Sequence, residues 1–148
     1  MKITLESKII SLPAEKVFSC FDENLFKALN PWFMPMKVEL FEGCSPGNRI
    51  VVKLGGRLVN ARWVSEITSM NKNENEICFT DIGIELPFPL KKWEHHHRII
   101  KTGQNQCRIV DEITYFTSQR WLDPMIKPAM LLQFGVRKKA YSNYFTNI

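Results

Sequence analysis

Polar and apolar positions change period twice along the chain and divide it into three parts. In KITLESKIIS (2–11), Ile3 and Leu5 alternate with polar neighbours before Ile9 and Ile10 break the pattern, which predicts a first strand near a sheet edge. SLPAEKVFSCF (11–21) predicts a helix with a cap at or near Ser11, Pro13 in its first turn and Glu15 near its positive end. Its apolar face carries Val17, Phe18 and Phe21. ENLFKALNP (23–31) predicts a second short helix, stopped by Pro31, which cannot continue the hydrogen-bond ladder. Six β-rich runs follow: MKVELFEG, NRIVVKL, RLVNARWVSEITSM, NEICFTDIGIEL, KWEHHHRIIKT and QCRIVDEITYFT. The gaps carry turn formers, namely Ser45-Pro46-Gly47-Asn48, Gly55-Gly56, Asn71–Asn75 and Gly103–Asn105. Short links between consecutive strands imply an antiparallel meander. From Asp123 to Phe145 the period becomes helical through Met125, Ile126, Met130, Leu131, Phe134, Tyr141 and Phe145, with Arg137, Lys138 and Lys139 toward the polar side. One long helix is expected there, with Pro128 ending its first turn or kinking it.

This order has a physical consequence. Seven strands have an apolar face to hide and only one long helix to hide it. A helix is about 10–12 Å across, so a sheet curved around it leaves volume unfilled, and that volume becomes a cavity lined by both. The chain of 148 residues shows no repeat, low-complexity stretch or linker, and reads as a single α+β domain over 1–148.

Composition narrows the classes. With 45% hydrophobic residues, 11% of the chain being aromatic, a sizeable core is within reach and an ordered domain is expected. The net charge of +5 comes from scattered lysines and arginines, run together only in RKK at 137–139, without the basic stretches interleaved with aromatics that mark nucleic-acid binding. Cys20, Cys44, Cys78 and Cys107 have neither CxxC nor zinc-finger spacing, and the first residues lack the apolar run of a signal peptide. Reduced thiols and a cytoplasmic location are expected, with no membrane span, because no apolar stretch approaches about 20 residues.

Local wording adds to the order of elements. ENLFKALNPW (23–32), WEHHHRI (93–99), CRIVDEITY (107–115) and LLQFGVRKKA (131–140) resemble a bacterial branch of the START-like superfamily, also called SRPBCC, polyketide cyclase-like or helix-grip. The resemblance covers essentially the whole chain. It implies a helix-grip fold: a curved seven-stranded antiparallel sheet wrapped around a long C-terminal helix, with two short helices after the first strand. It also implies a cavity for a small hydrophobic or amphipathic molecule. Some members add cyclase, dehydratase or hydrolase chemistry.

The three consecutive histidines follow strand parity. Trp93, His95, His97 and Ile99 share one face, while Lys92, Glu94, His96, Arg98 and Ile100 share the other. The charged face belongs in solvent, which sends Trp93, His95 and His97 inward and leaves His96 outside. On the following strand Ile109, Asp111, Ile113 and Tyr115 share the inward parity. A three-residue loop over Gly103–Asn105, with Asn105 in the left-handed conformation, sets His97 opposite Asp111 and His95 opposite Ile113; a two-residue loop substitutes Glu112.

These residues admit several roles. A self-satisfied hydrogen-bonded ladder that orients Tyr115 is one. Ligand recognition by Trp63, Trp93, His95, His97, Asp111 and Tyr115 is another, since an apolar pocket needs a few placed polar groups. A third is acid/base chemistry by His95, His97 and Asp111 on a bound molecule, although no nucleophile or oxyanion motif fixes a reaction. A vestigial cavity in an interaction module is a further class. No metal and no cofactor are expected, because His-x-His supplies two ligands on one face and no further histidine provides the third. Among the remaining features, VRKKA reads as a solvated helix face, and Pro87 and Pro89 interrupt strand pairing. PWFMPM (31–36) suits either a flexible gate or core packing. Arg57 and Arg62 have opposite parity on one strand, and register alone decides which faces inward.

Overall fold

The β-rich runs pair into one seven-stranded antiparallel sheet in the computed structural model, which describes residues 1–55 and 60–148. The strands are β1 (Lys2–Glu6), β2 (Met36–Phe41), β3 (Arg49–Leu54), β4 (Ala61–Lys72), β5 (Glu76–Glu85), β6 (Leu90–Gly103) and β7 (Gln106–Thr117). Their spatial order is β1-β7-β6-β5-β4-β3-β2. β2 to β7 form the expected meander, and β1 closes the far edge by pairing with β7. Arg57 and the first residues of its predicted strand lie outside the described residues.

Turn chemistry sets the links. In Ser45-Pro46-Gly47-Asn48, Pro46 is followed by Gly47 at φ 89°, the left-handed conformation that a type II turn requires at its third residue. Asn73 Oδ1 accepts from the amides of Asn75 and Glu76 at 2.8 and 2.9 Å, closing the turn before β5. Register shifts interrupt the β2/β3, β4/β5 and β6/β7 pairings, and such bulges bend a sheet.

Two short helices follow β1: α1 (Ala14–Ser19) and α2 (Glu23–Ala28). The cap of α1 is Pro13 rather than a residue near Ser11, and no side chain bonds to it. Asp22 caps α2, its carboxylate accepting from the Leu25 amide at 2.9 Å. After a single 3₁₀ turn, Arg120–Leu122, the C-terminal helix runs as α3 (Asp123–Gly135) and α4 (Arg137–Thr146). Pro128 lies inside α3, and the interruption falls at Val136, beside Gly135, a poor helix former. Val136 keeps helical dihedrals, φ −64° and ψ −24°, so the chain continues in the same sense.

Two apolar clusters hold helices to sheet. At one end α1, α2 and α4 pack Val17, Leu25, Tyr141 and Phe145 against Ile77, Ile99 and Ile109. At the other, Met130 and Phe134 of α3 pack on Ile3, Trp93, Ile113 and Tyr115. Tyr115 donates its hydroxyl to the Asp123 carbonyl at 3.0 Å, and Asp123 Oδ1 accepts from the amide and hydroxyl of Thr117 at 2.7 Å, tying the start of α3 to the end of β7. Along β6, Trp93 belongs to one cluster and Ile99 to the other; along β7, Ile113 and Ile109 divide in the same way. His95, His97 and Asp111 occupy the layer between. No helix among the described residues is long and apolar enough to cross a membrane.

Candidate functional site

The layer between the clusters is a closed group of four ionisable side chains, and strand pairing assembles it. On β6, His95 stands opposite Asp81 of β5 and Ile113 of β7, while His97 stands opposite Phe79 and Asp111. Each carboxylate is thus directly across from one histidine and diagonal to the other, and the formed hydrogen bonds are the diagonal ones. His95 Nε2 donates to Asp111 Oδ1 at 2.9 Å, and His97 Nε2 donates to Asp81 Oδ2 at 3.0 Å. The direct pairs are looser, at 3.7 Å from His95 Nδ1 to Asp81 Oδ2 and 3.4 Å from His97 Nδ1 to Asp111 Oδ1. His97 Nδ1 makes no formed hydrogen bond. Trp93 Nε1 donates to the other Asp81 oxygen, Oδ1, at 3.2 Å. His97 is sandwiched between Phe79, stacked at 4.4 Å, and His95 at 3.7 Å between ring centroids.

The register of β6 and β7 is the expected one, but the loop is not. β6 and β7 meet at the pair Gly103 and Gln106, so the loop is the two residues Gln104 and Asn105. A register shift between Lys101 and Gly103 takes up the extra residue and restores the pairing that a three-residue loop would have given. Asn105 does not adopt positive φ.

Burial and charge divide the four groups unequally. Burial, with the positive charge on His97 added, pulls His95 down to about 4 despite its bond to Asp111. Burial opposes charge on His97 as well, but its contacts with Asp111 and Asp81 outweigh that and raise it. For Asp81 and Asp111, burial favours the neutral acid, and the histidine contacts overcome it and hold both below the usual carboxylate range. Of the two histidines beside these carboxylates, His97 is therefore the one that favours the charged form and His95 the one that stays neutral. His96 faces away, half-buried, with Nδ1 on the Thr80 hydroxyl at 2.8 Å and Nε2 on Glu94 at 3.0 Å.

Asp81, His95 and His97 form part of the wall of a cavity beneath the α3/α4 junction, between the helices and strands β2 to β6. Its empty space is about 790 Å³ with the mouth included, and the centre of a water-sized molecule can occupy about 80 Å³ of it. The apolar wall includes Leu25, Val52, Trp63, Phe79, Trp93 and Phe134. Trp63 packs edge-on against Trp93 at 4.8 Å and donates Nε1 to Ser65 Oγ at 3.0 Å.

Of the residues expected to bind ligand, Trp63, Trp93, His95 and His97 line this cavity. Asp111 sits behind the histidines, and Tyr115 is sealed in the cluster under α3 with its hydroxyl on the Asp123 carbonyl; neither reaches the wall. Of PWFMPM, Met36 lines the cavity while Trp32 projects into solvent at 91% exposure.

The sequence signals for three polar wall residues, Asp81, Arg137 and Tyr141, are weaker, and Asp22, Ser65 and Gln133 also reach the wall. Asp81 shares the parity of Ile77 and Phe79, the same signal that identified Asp111, but its carboxylate stood in a run without a histidine to draw attention. Arg137 was assigned with Lys138 and Lys139 to a solvated face, yet it lines the cavity with its guanidinium 4.3 Å from the Phe134 ring centroid. Positions 130, 134, 137, 141 and 145 form one stripe at helical spacing, and that spacing is the missed signal. Tyr141, read as core, is the third. Arg137 Nε and the Tyr141 hydroxyl are buried without well-formed hydrogen bonds, and burial first, then the charge of Asp111, push the Tyr141 hydroxyl well above its ordinary value against the opposing pull of the adjacent Arg137 guanidinium.

One ligand atom from each of Asp81, His95 and His97 lies within 4.8 Å of the other two, and this is the one trio among the described residues with spacing suited to a metal ion. The four cysteines are free and take no part in it.

No family model matches the chain, and no curated protein resembles it in sequence. Solved structures do resemble it in shape. Norcoclaurine synthase from Thalictrum flavum superposes with a TM-score of 0.68 at 11% identity, over 100% of this chain and 87% of that one. The protein TTHA0849 from Thermus thermophilus gives 0.67 at 18% identity, over 99% and 98%. Ara h 8.0201 gives 0.63 at 16% identity, over 100% of both chains. With the antiparallel sheet, the two short helices after β1 and the long C-terminal helix, these likenesses establish that the chain has the helix-grip fold, the one that the START-like resemblance implies.

Proposed function

We propose that the protein binds a small, largely apolar molecule carrying an acceptor or acidic group, in the cavity between the sheet and the α3/α4 junction. The observation that carries this reading is the pair of unpartnered buried donors, Arg137 Nε and the Tyr141 hydroxyl, on the wall of an otherwise apolar cavity. A buried donor without a partner costs about 1–3 kcal/mol, and a ligand oxygen placed between the two would recover it. The free space favours a molecule of one or two rings over a sterol or a lipid. A structure of this fold, norcoclaurine synthase, is described in complex with dopamine and hydroxybenzaldehyde, both single-ring molecules.

Native mass spectrometry of the untagged protein, with extraction of bound material, tests the reading directly. Titration with an anionic naphthalene sulfonate probe supplies the second arm. Binding is expected to saturate at one probe per chain and to weaken at least tenfold on Val52→Trp, which fills the cavity from β3. Folded protein with no saturable binding refutes the reading.

A second reading is supported by the position of His97, a histidine on the cavity wall whose carboxylate neighbours favour its charged form. Acid/base chemistry of the cyclase, dehydratase or hydrolase kind would use His97 as the acid, its Nε2 proton passing to the ligand in place of its bond to Asp81, with His95 and Asp111 setting its charge and orientation. A pH-rate profile that loses its basic limb in His97→Gln, on any molecule recovered from the cavity, would support it.

A further inference from the structure

The four buried groups are arranged as a metal centre is, with an inner and an outer side. The inner nitrogens, His95 Nδ1 and His97 Nε2, converge on one oxygen, Asp81 Oδ2, at 3.7 and 3.0 Å. The outer nitrogens, His95 Nε2 and His97 Nδ1, both face Asp111 Oδ1, at 2.9 and 3.4 Å. A carboxylate behind a metal-bound imidazole fixes its tautomer and strengthens it as a ligand. Here one carboxylate stands behind both rings. Trp93 occupies Asp81 Oδ1 and so directs Oδ2 to the inner side. All three inner residues reach the cavity wall, which leaves a further coordination position open to it. The orphaned His97 Nδ1 fits the same scheme: with Nε2 on an ion, its Nδ1–H would donate to Asp111.

We propose that Asp81, His95 and His97 bind one divalent first-row transition ion, through Asp81 Oδ2, His95 Nδ1 and His97 Nε2, with Asp111 holding both imidazoles from behind. Two imidazoles and one carboxylate suit zinc, cobalt or iron(II) better than magnesium or calcium, which prefer all-oxygen shells. The sequence pattern argued against a metal because no third histidine exists; the third ligand is a carboxylate delivered from β5 by the pairing of Asp81 with His95. Cavity binding by an organic molecule does not depend on this site, and either activity can fail without the other.

The test uses untagged protein stripped with chelator, then equilibrium dialysis against zinc or cobalt(II) and elemental analysis. One ion per chain is expected. Asp81→Asn and His95→Gln should each lower zinc affinity at least tenfold, Asp111→Asn about 10–100-fold, and His96→Gln not at all. The cobalt form of the unaltered protein supplies a readout that survives any folding defect in the variants. It should show the visible bands of a four- or five-coordinate nitrogen and oxygen site, with no thiolate-to-cobalt charge transfer. Folded protein that takes up no ion, a thiolate band, or uptake that Asp81→Asn leaves intact and His96→Gln abolishes would each overturn the assignment.

Discussion

Replacing Asp111 by asparagine removes one charge from four coupled buried groups while keeping the shape of the side chain. Asp111 accepts from His95 Nε2 at 2.9 Å and lies 3.4 Å from His97 Nδ1, all at exposures of 9% or less. An asparagine oxygen can still accept from His95, so that bond survives in neutral form. The imidazolium of His97 loses one of its two counter-charges, in surroundings where breaking a buried pair costs about 3–5 kcal/mol. Asp81 still pairs with His97, and a loss of about 2–3 kcal/mol at neutral pH is the expected net effect. For a chain of this size that corresponds to roughly 4–12 °C in melting temperature, at about 2–4 °C per kcal/mol. Calorimetry and urea unfolding of the chelator-treated protein measure it. The decisive comparison is a double-mutant cycle with His97→Gln, because removing the cation should relieve the cost of removing the anion. A coupling of about 1.5 kcal/mol or more is expected. If Asp111→Asn costs under about 0.5 kcal/mol, or the two changes simply add, charge pairing does not hold this layer together.

In the metal-free protein, His95 is held neutral by burial and titrates at about 4, so the unfolded chain takes up a proton first and stability falls as pH drops from about 6.5 toward 4. The slope is at most about 1.4 kcal/mol per pH unit, and His95→Gln should flatten this limb in pH-dependent urea unfolding. The raised His97 acts oppositely: its contribution is complete below about 6.5 and is lost as pH rises through its folded value, a limb that His97→Gln should abolish. Asp81 and Asp111, both lowered, add a further loss below about pH 4 as the unfolded carboxylates protonate. Tyr141→Phe removes a buried hydroxyl without a partner, so its melting temperature should stay level or rise, while affinity for the anionic naphthalene probe falls several-fold. A clear drop in stability would mean that the hydroxyl is bonded in the free protein.

Strand parity alone placed Trp93, His95 and His97 on the inner face of β6, because Lys92, Glu94 and Arg98 belong in solvent, and put Asp111 inside on β7 with Ile109, Ile113 and Tyr115. The pairing of His97 with Asp111 was legible for a related reason: a slip of one residue would have turned Ile109, Ile113 and Tyr115 outward and Arg108 and Glu112 inward, a cost that outweighs the details of the loop. The loop detail itself was misread, since a bulge and an extra loop residue give the same register further along. The stripe through Arg137 was also present at helical spacing, but its membership in a basic run hid it. Other features had no local signature. That Asp81 joins the histidines depends on the register of β5 against β6 across a link containing Pro87 and Pro89, and no hydrophobic pattern fixes that register by itself. That Tyr115 falls outside the cavity depends on where α3 settles on the sheet, filling one end with Met130 and Phe134 and leaving space only under the junction with α4. Local periodicity decides which way a side chain points, because that is a property of one strand or helix. Which side chains meet is decided by how separate elements are set against one another, and only the packed tertiary structure contains that information.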